Sequence, residues 1–326
     1  MKSLELVSII IPVKERSELL FQTLKNICNQ SYTNIEVIVV DDNSKENIKD
    51  VIHDVSDNRV RYLKSNGTGP GAARNIGLKH ANGEFVKYFD SDDLMSRGLI
   101  EHQVKKLTNN KGDAVFSPYV KVRKNGNKFI QVDEIMHYRP WIRLRELDDL
   151  MLVGFFIPIP AFLFKRSFLN GAPDWPTGFI TYEDWYYLWN LAALKPKLIH
   201  SNSDCFFYII HGEQSTGMNL TDAQRDEEKS RLMLPLLIQK YQSKSSSFLD
   251  VLRSGARLLN ELRGLSAESV KEEHTRLLKS KRLRLVNLVW RAYQKIGILT
   301  RTSKWPRYYG AISSSKVFNH YVKRIR

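Results

Sequence analysis

Glu84-Phe85-Val86-Lys87-Tyr88-Phe89-Asp90-Ser91-Asp92-Asp93 is the stretch on which the fold turns. Glu84–Phe89 reads as a strand, and it ends in three carboxylates and a serine. The same grammar recurs upstream. Val7–Ile11 is a continuous apolar, β-branched run closed by Pro12, which reads as a strand buried on both faces. Ile35–Val40 is a second, closed by the turn and cap formers Asp41-Asp42-Asn43-Ser44. Between them Leu19–Cys28 places Leu20, Leu24 and Ile27 at helical spacing. Ile48–Val55 reads as a short helix and Val60–Leu63 as a short strand. A Gly/Pro loop at Gly67–Gly71 then opens a helix over about Ala72–Ala81. Repeated strand–helix–strand units of this length imply an α/β fold, a mostly parallel sheet with helices on both faces. In such sheets ligands gather beyond the carboxyl ends of the strands. Asp42, Arg74 and Asp90–Asp93 fall just there or at the start of the next helix.

Carboxylates one residue apart on a turn can point at one hard cation, Mg²⁺ or Mn²⁺, shared with phosphate oxygens. Without a cation they repel, by roughly 1 kcal/mol per close pair in water and ~4 kcal/mol at low effective dielectric. An Asp-x-Asp pair also arises by chance in a chain with this many aspartates, and its bland reading is a solvated turn. Position at a strand end favours the ligand reading.

The middle of the chain is mixed. Ala114–Val122 and Phe129–Val132 read as strands around Asn125-Gly126-Asn127, a hairpin pattern. Tyr182–Leu194 reads as an aromatic-rich helix, and Cys205–Ile210 as a strand leading into His211. From Thr221 the pattern turns helical, over Asp222–Gln242, Ser247–Leu262 and about Arg276–Leu299. A boundary near Gly217–Thr221 thus separates residues 1–217, an α/β domain, from 218–326, a helical and increasingly basic region.

Composition excludes several classes. The 326 residues are 42% hydrophobic and 26% charged, the balance of a globular protein rather than a disordered one. Two cysteines, Cys28 and Cys205, make neither a disulfide framework nor a multi-cysteine zinc site, which suits a cytoplasmic location. No cleavable leader pattern is seen, and the longest apolar run, Met151–Phe164, contains two prolines and is too short to cross a bilayer. The net charge of +15 is segregated. Residues 274–326 hold 14 Lys or Arg and no Asp or Glu, leaving 36 basic against 35 acidic residues in the rest. Any partner inferred from charge belongs to that tail. Within it Leu278, Leu285, Val289, Tyr293 and Ile296 recur at helical spacing among Lys279, Arg282 and Lys295. A basic helix with an apolar stripe fits the anionic inner face of a membrane, as a peripheral protein; the alternative is a stripe packed on the α/β domain.

Four strings, in order, resemble family-2 nucleotide-sugar glycosyltransferases: Ser8-Ile9-Ile10-Ile11-Pro12-Val13, Val39-Val40-Asp41-Asp42-Asn43-Ser44, Gly71-Ala72-Ala73-Arg74-Asn75-Ile76-Gly77 and Phe89-Asp90-Ser91-Asp92-Asp93. The resemblance covers about residues 7–215 and implies the GT-A fold, Mn²⁺ or Mg²⁺ as cofactor, and inversion at the anomeric carbon. It implies that Pro12, Val13, Lys14 and Glu15 flank the base and ribose, and that Asp42 accepts the N3–H of a pyrimidine. Arg74 would approach the base or diphosphate. Asp90 and Ser91 would lie on the nucleotide side, Asp90 facing the ribose or metal. Asp92 would ligate the metal, and His211 would contact metal or diphosphate. Glu183-Asp184 resembles the acidic pair ahead of the acceptor-side helix, whose aspartate is the general base. One departure is local: many relatives carry Tyr-Asn where this chain has Lys14-Glu15-Arg16.

The residues alone leave blander readings open. Asp42 could cap the next helix, and Arg74 could be a surface helix residue as well as a phosphate ligand at a helix start. Glu183 and Asp184 could serve the helix dipole, and His211 could be a packed or solvated side chain. Trp175, Trp185 and Trp189 suit core or acceptor-cleft wall, and Cys28 a small buried apolar site.

The expected function is therefore inverting transfer from a nucleoside-diphosphate sugar, UDP-sugar favoured, to a saccharide or lipid-linked hydroxyl acceptor in cell-surface polysaccharide or glycoconjugate assembly. A sugar-nucleotide nucleotidyltransferase is the enzymatic alternative. A nucleic-acid-binding protein using the basic tail is the other, disfavoured because the α/β part is nearly neutral. Phosphate-loop and dinucleotide glycine motifs are absent from the sequence.

Overall fold

Apolar runs without polar alternation have to be covered on both faces, and in the computed structural model they are. The structure describes residues 5–67, 69–125, 128–132, 157–177 and 182–211, all within one compact unit. β1 (Val7–Val13) is buried along its whole length. α1 (Ser17–Cys28) buries Leu20, Leu24 and Ile27 as the spacing predicts, with Thr23 and Asn26 buried between them. β2 (Ile35–Asp41), α2 (Ile48–Val55), β3 (Val60–Lys64), α3 (Pro70–Lys79) and β4 (Phe85–Tyr88) complete the first half. Next come β5 (Leu94–Met95), α4 (Leu99–Asn110), β6 (Ala114–Phe116), β7 (Tyr119–Asn125) and β8 (Lys128–Gln131). A 3₁₀ turn at Ile159–Ala161 leads into β9 (Phe162–Lys165), α5 (Arg166–Leu169), α6 (Glu183–Ala193), β10 (Leu198–His200) and β11 (Phe206–Ile210).

The main sheet has the order β10-β6-β9-β4-β1-β2-β3. β1 pairs in parallel with β2 on one side and β4 on the other, from Val7 opposite Ile35 and Phe85. Chain direction across the sheet therefore reverses at β1, the switch point where such folds open a crevice. β9 runs antiparallel between β4 and β6, so the sheet is mixed as well as mostly parallel. A second sheet, β5-β11-β7-β8, brings the end of β11 toward the turn after β4. α3 sits close on β1: a Cβ on Gly77 would lie 2.3 Å from Ile10 Cγ2.

Several sequence expectations need correction. The single strand expected over Ala114–Val122 is two strands, β6 and β7, in different sheets. Pro118 has no N–H for a ladder, and the Ser117 N–H turns to the Ala161 carbonyl. α3 starts at Pro70 rather than Ala72, because proline at the first helical turn forfeits no hydrogen bond. α4, β5, β9, α5 and β10 were not expected. The hairpin is found, with Asn125 opposite Lys128. The helices expected over 222–242, 247–262 and 276–299 and the boundary near 217 lie outside the described residues. No helix among the described residues is long and apolar enough to cross a membrane.

Candidate active site

The carboxyl ends of β1, β2 and β4 meet at one edge of the sheet. Asp42 follows β2 and is buried; its N–H donates to the Val13 carbonyl at 2.7 Å. The Ser65 hydroxyl donates to Asp42 Oδ1 (2.6 Å) and the Gly69 N–H to Oδ2 (3.1 Å). Each carboxylate oxygen can accept more than one bond, so Asp42 retains acceptor capacity. It does not cap α2, whose N-cap is Asn47. Asp41 does the local work instead, accepting from the Ser44 N–H and the Tyr62 hydroxyl, each at 2.8 Å.

The segment after β1 departs from ordinary backbone. Pro12 and Val13 are buried in the strand, Lys14 is exposed, and Glu15 and Arg16 are both left-handed, with φ 58° and 69°. Side chains with a Cβ occupy that region sparsely. Contacts to the loop after β2 hold the turn: the Glu15 N–H donates to Ser44 Oγ (2.8 Å), and the Glu15 carboxylate accepts the N–H groups of Lys45 and Glu46 at 3.0 and 3.1 Å. Glu46 in turn accepts the Ser17 N–H at 2.8 Å.

The turn after β4 is fixed from α1. The Thr23 hydroxyl lies 3.0 Å from the carbonyl oxygens of both Ser91 and Asp93. The Asn26 side chain brackets Met95, donating to its carbonyl (3.0 Å) and accepting its N–H (2.8 Å). Asp93 is buried and accepts the Ile209 N–H at 3.0 Å. Burial, then the charges of Asp92 and Asp90, raise its carboxyl well above the usual range. Asp93 thus ties the Asp-Ser-Asp-Asp turn to β11 two residues before His211. Asp92 Oδ2 meets His211 Nε2 at 3.0 Å and Arg16 Nη1 at 2.8 Å.

A second charged group lies on α3 and α6. Arg74 is buried and donates to Asp90 Oδ1 at 2.8 Å and Glu183 Oε1 at 3.2 Å. Its guanidinium carbon sits 4.4 Å from the centroid of the Trp175 ring, and Trp175 stacks on Tyr187 at 3.9 Å. Asn75 holds Trp175 there by a two-way bracket, at 3.0 and 2.8 Å. A Cβ on Gly71 would lie 2.1 Å from the Pro176 carbonyl oxygen, so glycine permits the 175–177 segment to cross the start of α3. Glu183 and Asp184 open α6. Burial, then the adjacent Glu183 charge, push Asp184 up to about 7. Trp175, Trp185 and Trp189 are all buried; Cys28 is half-buried, and burial pushes its thiol up to about 12.

The structure thus joins Asp92 to His211 and Arg74 to Asp90 and Glu183, and engages Arg74 with carboxylates inside the protein. Asp92 and His211, in direct contact, are the carboxylate and the imidazole that a divalent cation could take as ligands. No group of three or more His, Cys, Asp or Glu forms a ready cage among the described residues. Two protein donors fit a cation whose shell is completed by diphosphate and water, and an imidazole suits Mn²⁺ better than Mg²⁺. Sequence reasoning missed Arg16, Thr23, Asn26, Asn75 and Asp93 as positioning groups. Thr23 and Asn26 carried a usable signal, being polar residues on an otherwise apolar helix stripe.

Comparison with known proteins agrees with this architecture. The family model "Glycosyl transferase family 2" matches residues 8–171. The glycosyltransferase GlyG of Streptococcus pneumoniae is 32% identical over 220 residues, covering 63% of this chain and 70% of GlyG. WfgD of Escherichia coli, a UDP-Glc:alpha-D-GlcNAc-diphosphoundecaprenol beta-1,3-glucosyltransferase, is 29% identical over 205 residues, covering 62% and 74%. The chain spans only about a fifth of the length of three Rickettsia glycosyltransferases it also matches. Among solved structures, Staphylococcus aureus TarS 1–349 in complex with UDP-GlcNAc superposes with a TM-score of 0.57 at 19% identity, covering 76% of this chain and 70% of that one.

Proposed function

Since the chain belongs to glycosyl transferase family 2, we propose that it transfers a sugar from a nucleoside-diphosphate sugar, UDP-sugar first, to a hydroxyl acceptor with inversion. The observation that carries this is the convergence, at the ends of β1, β2 and β4, of Asp42, Asp90 and the Asp92–His211 pair, linked through Arg74 to Glu183 beside Asp184. Asp42 takes the base N3–H, and Asp90 and Ser91 lie toward the ribose. Asp92 and His211 would hold Mn²⁺ or Mg²⁺, which when bound would neutralise charge on the departing diphosphate. Asp184 accepts the proton of the acceptor hydroxyl as that oxygen bonds to the anomeric carbon and the bond to the diphosphate oxygen breaks. One carboxylate suffices, because no glycosyl-enzyme is formed. Glu183 anchors Arg74 beside it and so keeps the base next to a fixed charge pair.

The activity of WfgD, with a diphosphoundecaprenol-linked acceptor, and the UDP-GlcNAc complex of TarS support a UDP-sugar donor and a lipid-linked saccharide acceptor, hence a role in cell-surface glycan assembly. Work on such an acceptor suits a protein held at the cytoplasmic membrane face by the basic residues of 274–326. Family membership favours sugar transfer over nucleotidyl transfer. The full chain, given UDP-, dTDP- and GDP-sugars with Mn²⁺ or Mg²⁺, should be stabilised by its donor, by ~2.7 kcal/mol at 100 times the dissociation constant. With a lipid-linked acceptor it should release nucleoside diphosphate and form a glycoside. Release of inorganic diphosphate with synthesis of a nucleotide sugar overturns the reading.

A further inference from the structure

The Lys14-Glu15-Arg16 segment is where this chain departs from the sequence pattern it otherwise resembles, and the structure gives Arg16 a specific target. Its guanidinium donates to Asp92 Oδ2 at 2.8 Å, the same oxygen that meets His211 Nε2 at 3.0 Å. Arg16 and Asp92 side chains keep 15% and 13% exposure, so the pair stands at the crevice surface rather than in the core. Arg16 is also aimed. It sits at the N-cap of α1 in a left-handed conformation, on a turn whose preceding residue is left-handed too. The bonds from Glu15 to Ser44, Lys45 and Glu46, and from Ser17 to Glu46, hold that turn. Sparsely populated backbone maintained by surrounding bonds is characteristic of functional turns.

Charge balance says what the aim is for. The strand ends carry Asp42, Asp90 and Asp92, and the start of α6 carries Glu183 and Asp184. Arg74 is almost fully enclosed and occupied by Asp90 and Glu183. A nucleoside diphosphate entering here needs positive charge that can face it, and a divalent cation needs Asp92. Arg16 occupies a carboxylate that such a cation would need. Resting on the donor-site reading above, we propose that Arg16 is a donor-diphosphate residue, kept on Asp92 until a divalent cation takes that carboxylate and then turned to the phosphates.

The test uses the full chain and three proteins: wild type, Arg16→Asn and Arg16→Lys. Asparagine removes the charge and tolerates the left-handed backbone; lysine restores the charge without the planar fork. Calorimetric titration with Mn²⁺ alone should show Arg16→Asn binding the metal at least about tenfold tighter than wild type, because a competing cation is gone. Titration with UDP and UMP at saturating Mn²⁺ should show the opposite, UDP weakened at least about tenfold and UMP less, with Arg16→Lys between. Unchanged or weaker Mn²⁺ binding by Arg16→Asn, or an unchanged UDP-to-UMP ratio, overturns this proposal while leaving the donor site standing. A wild-type protein that binds none of UDP, dTDP and GDP overturns the donor-site reading and this proposal together; if it binds another of the three, the same titrations use that nucleoside diphosphate and its monophosphate. If Arg16→Asn does not fold, an Arg16→Lys protein whose UDP-to-UMP ratio equals wild type overturns the proposal, and a reduced ratio supports it.

Discussion

Asp184 is the residue on which the proposed chemistry turns, and its environment makes a pH prediction. A base works only when ionised, and an ordinary aspartate would be ionised throughout the neutral range. Burial and the Glu183 charge push Asp184 up to about 7, near the value at which a general base is most effective at neutral pH. The folded value lies above the ordinary one, so the protonated, inactive form dominates below pH 7. Wild-type kcat/KM should therefore rise about tenfold per pH unit below that point and level off above it. Asp184→Asn should lower kcat by about 10²–10⁴ with donor affinity little changed. A donor affinity that collapses while saturated turnover survives would move Asp184 to the donor site. At this scale the sequence was informative about identity and silent about contact. Glu183, Asp184 and His211 were marked by the family resemblance alone, and Asp42, Asp90 and Asp92 were legible as candidates from their place after strands. That Arg16 reaches Asp92 across 76 residues was not, because nothing in a local pattern encodes which side chains cross a crevice.

Between elements, the contact least expected from sequence is Lys87 on β4. It has no exposed surface, and its Nζ lies 2.6 Å from the Pro160 carbonyl, 3.2 Å from that of Phe162 and 3.3 Å from Gln103 Oε1. One lysine thus ties β4 to α4 and to the start of β9, where the main sheet takes in its antiparallel strand. Leu99, Ile100, Val104 and Leu107 have helical spacing, yet Gln103 interrupts that stripe as a misplaced polar residue until Lys87 is opposite it, and α4 went unread. β9 was illegible for a different reason: Phe162–Lys165 shares an unbroken apolar run with Pro158 and Pro160, and no alternation marks where the strand begins. Burial pushes Lys87 down to about 7. Unfolding returns it to the ordinary lysine range, so between about pH 7 and 10 the unfolded chain binds the extra proton. Stability from this group then rises with pH, by at most about 1.4 kcal/mol per unit. Lys87→Met should lack that slope whatever its absolute stability. Urea unfolding at pH 7, 8 and 9 checks it, and parallel curves for the two proteins would refute the assignment.

For the whole molecule, charge divides a nearly neutral stretch from a tail that carries the excess. Residues 1–273 hold 36 basic and 35 acidic side chains, and 274–326 hold 14 basic and none acidic. Such segregation makes long-range attraction a property of one end of the chain, which suits a surface that extends in two dimensions better than a compact ligand. Each Lys or Arg near an anionic leaflet contributes about 1 kcal/mol, and the stripe of Leu278, Leu285, Val289, Tyr293 and Ile296 adds apolar contact at the headgroup level if it lies in the interface. A third of the 14 bases would give several kcal/mol, enough for reversible attachment. A site held at that surface would meet a lipid-linked acceptor by lateral diffusion, so the proposed docking and the proposed acceptor make one joint prediction. In flotation assays the full chain should rise with vesicles containing phosphatidylglycerol or phosphatidylserine, much less with neutral phosphatidylcholine, and detach as salt shortens the screening length. Full-length protein carrying Lys279→Glu, Arg282→Glu and Lys295→Glu together should partition at least about tenfold less onto anionic vesicles. Equal partitioning of the two proteins, or binding indifferent to lipid charge and salt, would mean that the tail packs within the protein and that the acceptor is met in solution.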